Sequence, residues 1–284
     1  MSDTPQGPGW WLASDGKYYP PHTPPVGSPL PPPGSPPIAP AAPPTQPLAT
    51  QPHFNIPPRS VSSGLSGTLQ GFGWAACGVA ILTALLAIGN LIAFNQWWDS
   101  PIGSAEEANA LDDLSTLEDG LAGLGAIMTL VELVVFVLML IWANQAHKAT
   151  QGIWPGPRKW SSGWTIGGWF IPLANLVIPK LVLNEIERIA FSPRSNGYVG
   201  EGWRRRSTMI QGWIWWLGII VGYILNAIGN VLVAGDEVRA GEVRAGRVFN
   251  TVGLALVAIG AGYGALYVRR ITSRLTADGL RQQP

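Results

Sequence analysis

The sequence predicts an all-α membrane protein: a four-transmembrane-helix bundle with a proline-broken re-entrant or interfacial segment and a disordered proline-rich N-terminal tail. Three observations lead there. Hydrophobic residues make up 47% of the 284 and charged residues only 12%, about half the charged share of a soluble domain. Four apolar runs reach the roughly 20 residues that cross a hydrocarbon core of about 30 Å. Most of the 26 prolines lie before the first of those runs.

Residues 1–70 are rich in proline, as in Pro31-Pro32-Pro33 and Pro43-Pro44, and poor in aliphatic side chains. They bury too little surface to offset chain entropy, and read as a disordered or polyproline-II tail. An aromatic island at 7–21 interrupts it. There Asp15-Gly16, a hairpin-turn dipeptide, is flanked by Trp10, Trp11, Tyr18 and Tyr19, which could stack across a minimal two-strand ribbon. Met1–Gly9 has neither the basic stretch nor the apolar core of a secretory signal, so the first span is expected to direct insertion.

The membrane domain is expected at 71–275, with spans at 72–94, 122–142, 213–234 and 248–268 and a short C-terminal tail at 276–284. Trp97, Trp98, Trp142 and Trp213 stand where an interfacial aromatic belt would. Cys77 lies inside the first span, where it reads as a packing residue. A fifth apolar run, 167–183, is broken by Pro172, Asn175 and Pro179 and would leave backbone groups unsatisfied as a simple spanning helix. Loop charges decide its status. If it does not cross, every basic residue except Arg239, Arg244 and Arg247 gathers on one side; if it crosses, the basic residues divide almost evenly. The positive-inside rule favours the first arrangement, with both termini cytoplasmic in a multi-pass cell-membrane protein.

The two outward loops differ. Residues 95–121 carry seven acidic residues, from Asp99 to Asp119, and no basic one. Leucines at 111, 114, 117 and 121 recur at helical spacing, which predicts a short amphipathic acidic helix there. The second loop contains a tandem repeat, Glu237-Val-Arg-Ala-Gly followed by Glu242-Val-Arg-Ala-Gly, which reads as a duplication in a tolerant loop.

Glu132 is the charged residue inside a clear span, near its middle, where an ionised carboxylate is costly. Counting rise from the outer ends puts Thr83, Tyr223 and Asn226 at similar depth, as candidate hydrogen-bond partners. A buried structural carboxyl and a proton or cation site both remain open. Pro172, Asn175 and Pro179 are candidates to line a cavity with exposed carbonyls, the alternative being an interfacial turn that packs on the bundle. Gly218 with Gly222, and Gly260 with Gly264, have the spacing of close helix contact, either within the chain or between copies in a homo-oligomer. Arg204, Arg205 and Arg206 suit anionic lipid headgroups, although topology determination explains them equally well.

From Trp142 onward the chain resembles a bacterial, mainly actinobacterial, membrane family known as domain of unknown function 4328. The residues that carry the likeness are Trp142-Ala143-Asn144, Trp160-Ser161, Gly163-Trp164, Trp169-Phe170-Ile171-Pro172, Asn175, Pro179, Glu185-Ile186 and Arg188. The likeness spans roughly 70–275 and implies no activity. The island from Gly9-Trp10-Trp11 to Tyr19-Pro20-Pro21 resembles a short tryptophan-rich motif at the termini of actinobacterial membrane proteins.

No metal or phosphate constellation is evident: His22, His53 and His147 are scattered, and no Gly-x-x-x-x-Gly-Lys loop occurs. A net charge of +1 argues against nucleic acid as a partner. The expectation is therefore a non-enzymatic membrane anchor or scaffold without cofactors. Its partners are the lipid bilayer and proteins docking on the proline-rich tail. The alternative is a small transporter or channel using Glu132 and the broken segment.

Overall fold

The computed structural model describes residues 11–12, 18–19, 60–234 and 239–276, in two units divided after His53. In the first unit, β1 (Trp11–Leu12) and β2 (Tyr18–Tyr19) pair antiparallel, Trp11 opposite Tyr19 and Leu12 opposite Tyr18. That is the ribbon expected from the aromatic island. Its Asp15-Gly16 turn and the proline-rich stretches lie outside the described residues, as does the end of the C-terminal tail.

The second unit is helical. Its long helices are α1 (Ser63–Asp99) and α2 (Ala105–Ile153). Between α2 and the next long helix come α3 (Trp164–Gly167), a 3-10 turn (Ala174–Leu176) and α4 (Ile178–Ala190). A small hairpin of β3 (Arg194–Ser195) and β4 (Tyr198–Val199) and a 3-10 turn (Glu201–Arg205) follow. The chain closes with α5 (Ile210–Val233) and α6 (Ala240–Leu275). α1, α2, α5 and α6 are long and apolar enough to cross a membrane. Much of their apolar surface points outward, as at Leu82, Leu130, Leu133 and Val231, which suits hydrocarbon rather than water.

Local chemistry sets the boundaries. Ser62 caps α1, its Oγ accepting from the Leu65 N–H at 3.3 Å. Ser104 caps α2 in the same way through Glu107 N–H at 3.1 Å, while the Glu107 carboxylate reaches back to Gly103 N–H, a variant of the capping box. No proline interrupts residues 105–153, so the acidic segment is not a separate short helix as expected. It forms the first turns of α2, which at 49 residues is about 74 Å long. Likewise the second copy of the repeat is not in a loop. It opens α6, with Val243 buried and Gly246 against the Gly229 carbonyl; part of the first copy lies outside the described residues.

Extensive helix packing runs α2 to α1, α1 to α6 and α6 to α5. The α5–α6 contact brings two backbones together. A Cβ on Gly222 would lie 2.7 Å from the Gly253 carbonyl, and one on Gly218 would lie 3.0 Å from that of Leu256. Gly260 and Gly264 of α6 in turn meet Trp215 and Ile219 of α5, so the glycine spacing serves a contact within the chain.

The broken segment contains no helix of spanning length. α4 has 13 residues, about 20 Å. Pro179 sits in its first turn, where a missing N–H costs nothing. Leu173, at φ 63°, takes the strained conformation ahead of the 3-10 turn. α4 is buried across the end of the bundle where α1 begins and α6 ends, among Trp142, Tyr267, Ile271 and Leu275. Trp142 thus departs from the aromatic-belt expectation: it is fully buried and donates to Thr272 Oγ1 at 2.9 Å. At the same end the Val61 N–H donates to the Leu275 carbonyl at 2.9 Å, joining the entry to α1 with the exit from α6.

Candidate functional site

A cavity of about 240 Å³ opens in the apolar part of the bundle, between α2 and α5 and over α1 and α6. Its wall is almost wholly apolar apart from Glu132 and Tyr223, and the Tyr223 hydroxyl donates to the Glu132 carboxyl. Phe136, Trp169 and Trp215 supply aromatic surface. Phe136 meets Trp169 edge-on at 5.7 Å between centroids, and Trp169 in turn meets Trp216 at 5.7 Å. The broken segment is thereby fixed to mid-α2, six residues or about 9 Å beyond Trp142. The Trp216 indole N–H holds it from the other side, donating to the Leu176 carbonyl at 2.9 Å. Phe170, Ile171, Leu173, Leu176 and Val177 are exposed on the segment's outer face.

The other residues expected around Glu132 are elsewhere. Thr83 donates to the carbonyl of Val79 at 2.8 Å and Asn226 to that of Gly222 at 3.0 Å. The depth estimate fails because the helices do not begin at one height. Gly89 meets Leu117 and Leu86 meets Gly120 across the α1–α2 hairpin, so Thr83 is level with about residue 123, roughly 13 Å along the axis from Glu132. Nor do Pro172, Asn175 and Pro179 line the cavity; the segment contributes Trp169 instead. Of the three arginines, Arg204 is engaged. It pairs with Glu201 at 3.0 Å, donates to the Pro157 carbonyl at 2.8 Å and stacks on Trp203, whereas Arg205 and Arg206 stay exposed.

Sequence reasoning missed a polar layer around α4. Arg158 and Glu185 form a buried ion pair at 2.8 Å, both under a tenth exposed. The second carboxylate oxygen of Glu185 accepts from Lys159 N–H at 3.1 Å, and Arg158 also donates to the His147 carbonyl and Thr150 Oγ1. Seven residues from Lys180 on α4, Glu187 accepts from the Met209 N–H and from the Tyr267 hydroxyl at 2.9 Å. The Lys180 ammonium, 1% exposed, has no hydrogen-bond partner among the described residues. It rests on the rings of Trp213 and Tyr267, 4.9 and 5.1 Å from their centroids. Burial pushes the Lys180 pKa down to about 8 against the attraction of Glu187, and burial likewise raises Glu187 despite its donors. The available signal was four charges within Lys180–Arg188 interleaved with Leu181, Val182, Leu183, Ile186 and Ile189, too many apolar residues for one exposed amphipathic face.

At the opposite end Arg247 of α6 ties three helices together. It donates to Asn90 of α1 and to Glu118 of α2, the latter at 2.9 Å, and stacks on Phe94.

Four helices long and apolar enough to cross a membrane, a short buried helix across one end and an apolar cavity holding a single carboxyl give the chain the character of a helical membrane protein. The chain belongs to the family described as Domain of unknown function (DUF4328), whose sequence profile matches residues 103–273. The match takes in α2 to the last turns of α6 and leaves α1 outside it, a shorter span than the expected 70–275. No match was found among curated proteins or among solved structures.

Proposed function

We propose that the protein is a non-enzymatic membrane platform, with both termini cytoplasmic, that presents its N-terminal proline-rich segment for partner docking. The observation that carries this reading is the fixed character of the bundle end from which that segment departs. There α4 is buried among the helix ends, the Arg158–Glu185 pair is closed on both carboxylate oxygens, and Val61 is tied to Leu275. A fixed base next to a proline-rich sequence suits recognition of polyproline-II segments by aromatic grooves. The gathering of basic residues at this end supports its cytoplasmic placement. Crosslinking and affinity capture from cells with the full chain and with a chain lacking residues 1–60 tests the reading. Loss of the captured partners on truncation is expected; an identical partner set contradicts it.

A second reading, a small carrier, is favoured by one observation: the Glu132 cavity, walled in part by Trp169 of the broken segment. It predicts flux into proteoliposomes that Glu132→Gln abolishes. The near absence of other polar lining argues against a water-filled ion pore.

A further inference from the structure

We propose that the cavity at Glu132 binds a compact hydrophobic organic cation, a substituted ammonium carried on an aromatic or branched apolar body. The inference rests on the cavity that favours the carrier reading but not on transport itself.

The countercharge argument comes first. An ionised carboxylate in an apolar cavity is costly unless paired. The ion pairs of the described residues join Arg158 to Glu185, Arg204 to Glu201 and Arg247 to Glu118, and none reaches Glu132. Tyr223 gives it one hydrogen bond and no charge. The site therefore holds either a protonated carboxyl or a carboxylate whose partner comes from outside the chain.

The wall then selects the partner. Phe136, Trp169, Trp215 and Tyr223 line the same space, and aromatic faces attract ammonium groups, tryptophan most strongly. A hydrated inorganic cation would find few oxygen ligands here, whereas a substituted ammonium gains from the apolar wall as well as from the charge. The volume, about 240 Å³, is below the usual range of drug-sized pockets, roughly 300 to 1,000 Å³, so the ligand is compact. Access is through the bilayer, because Leu130 and Leu133 of α2 and Val221 and Ile224 of α5 are exposed apolar neighbours of the site.

The proton is the natural competitor. A cation entering a site that holds a protonated Glu132 forms the ion pair, and the carboxyl proton leaves to buffer. Tyr223 is the other titratable group facing the carboxyl. α1 presents Leu69, Gly73 and Ala76 there and α6 presents Val257 and Ala261. Apparent affinity therefore rises by up to about tenfold per pH unit while the acid is protonated and then levels off.

The test uses the full chain in phosphatidylcholine nanodiscs, with saturable binding of benzyltrimethylammonium measured against neopentylbenzene, its neutral carbon analogue. The cation is expected to bind at least tenfold more tightly than the analogue. Glu132→Gln should lose that preference while retaining the melting behaviour of the native protein, and Trp169→Leu should weaken cation binding roughly 2- to 30-fold. Equal affinity for cation and analogue, or unchanged cation binding in folded Glu132→Gln, overturns the proposal. Should Glu132→Gln fail to fold, a pH series on the native protein carried into the acid range decides: affinity that falls as the carboxyl is protonated supports the site, and a profile that stays flat to the acid limit of folding rejects it. Saturable binding without proteoliposome flux keeps the site and removes the carrier reading.

Discussion

Replacing Lys180 by methionine should stabilise the protein at neutral pH, against the usual effect of a substitution in a packed core. Methionine keeps the length and apolar stem of the lysine, which is 1% exposed, and removes an ammonium that burial holds at a pKa of about 8, down from 10.5. That depression corresponds to a cost of about 3 kcal/mol for carrying the charge in the folded state below pH 8. Contact with the Trp213 and Tyr267 rings is already part of that balance, so the expected gain at pH 7 is on the order of 1 to 3 kcal/mol. The sign fixes the pH dependence. A lysine whose folded pKa is lowered binds fewer protons in the folded than in the unfolded state between pH 8 and 10.5, so native stability climbs with pH across that window. The advantage of Lys180→Met should accordingly shrink toward zero by pH 10. Unfolding free energies from dodecyl sulfate titration in mixed micelles at pH 7, 8.5 and 10 measure this. A methionine variant that is less stable at every pH, or whose difference from native does not change with pH, refutes the reasoning.

Glu187 titrates with the opposite consequence. Its raised pKa contributes stability that is fully present below the unfolded value of 4.5 and is lost as pH rises through the folded pKa; Glu187→Gln should flatten that limb in the same titration. Glu185→Ala leaves Arg158 buried without its carboxylate and should cost about 3 to 5 kcal/mol, whereas the double variant Arg158→Met with Glu185→Leu should recover most of it. Gly222→Ala places a methyl 2.7 Å from both the Gly253 carbonyl and Val257 Cγ2, so a loss of about 1 to 3 kcal/mol is expected. Gly241→Ala, at a site with no neighbour within 4 Å, should cost nothing and serves as the control.

The sequence was most legible where one physical requirement dominates. Four runs of spanning length, bounded by polar residues, could be read because a hydrocarbon core admits few alternatives to a continuous helix. The interruption at Pro172 and Pro179 was legible because proline removes backbone donors. Where features depend on partners distant in the chain, reading failed. Thr83 was placed beside Glu132 by counting from the ends of apolar runs, but α1 and α2 continue past those ends and their register is set by Gly89 against Leu117 and Gly120 against Leu86. Tyr223 is the exception: it was expected at the depth of Glu132, and its hydroxyl donates to that carboxyl. Trp142 looked interfacial because tryptophan commonly is, yet burial beneath α4 turns its indole to Thr272. The buried role of the α4 charges was not legible because their partners, Arg158 from one side and Met209 and Tyr267 from the other, come from outside the helix. One signal was present and unread: Asn196-Gly197, with φ of 51° and 81°, makes the β3–β4 turn, as that dipeptide does in two-residue hairpins.

The central claim is that residues 164–190 turn back without crossing, so that α1 begins and α6 ends on one side of the membrane. Single cysteines in a Cys77→Ala background, at the exposed positions Ser115, Ser195, Gly241 and Ser273, test it with an impermeant thiol reagent on intact cells. Labelling at 115 and 241 with protection at 195 and 273 is the predicted result. Labelling at 195 and 273 with protection at 241 would mean that the segment crosses, and would contradict the account.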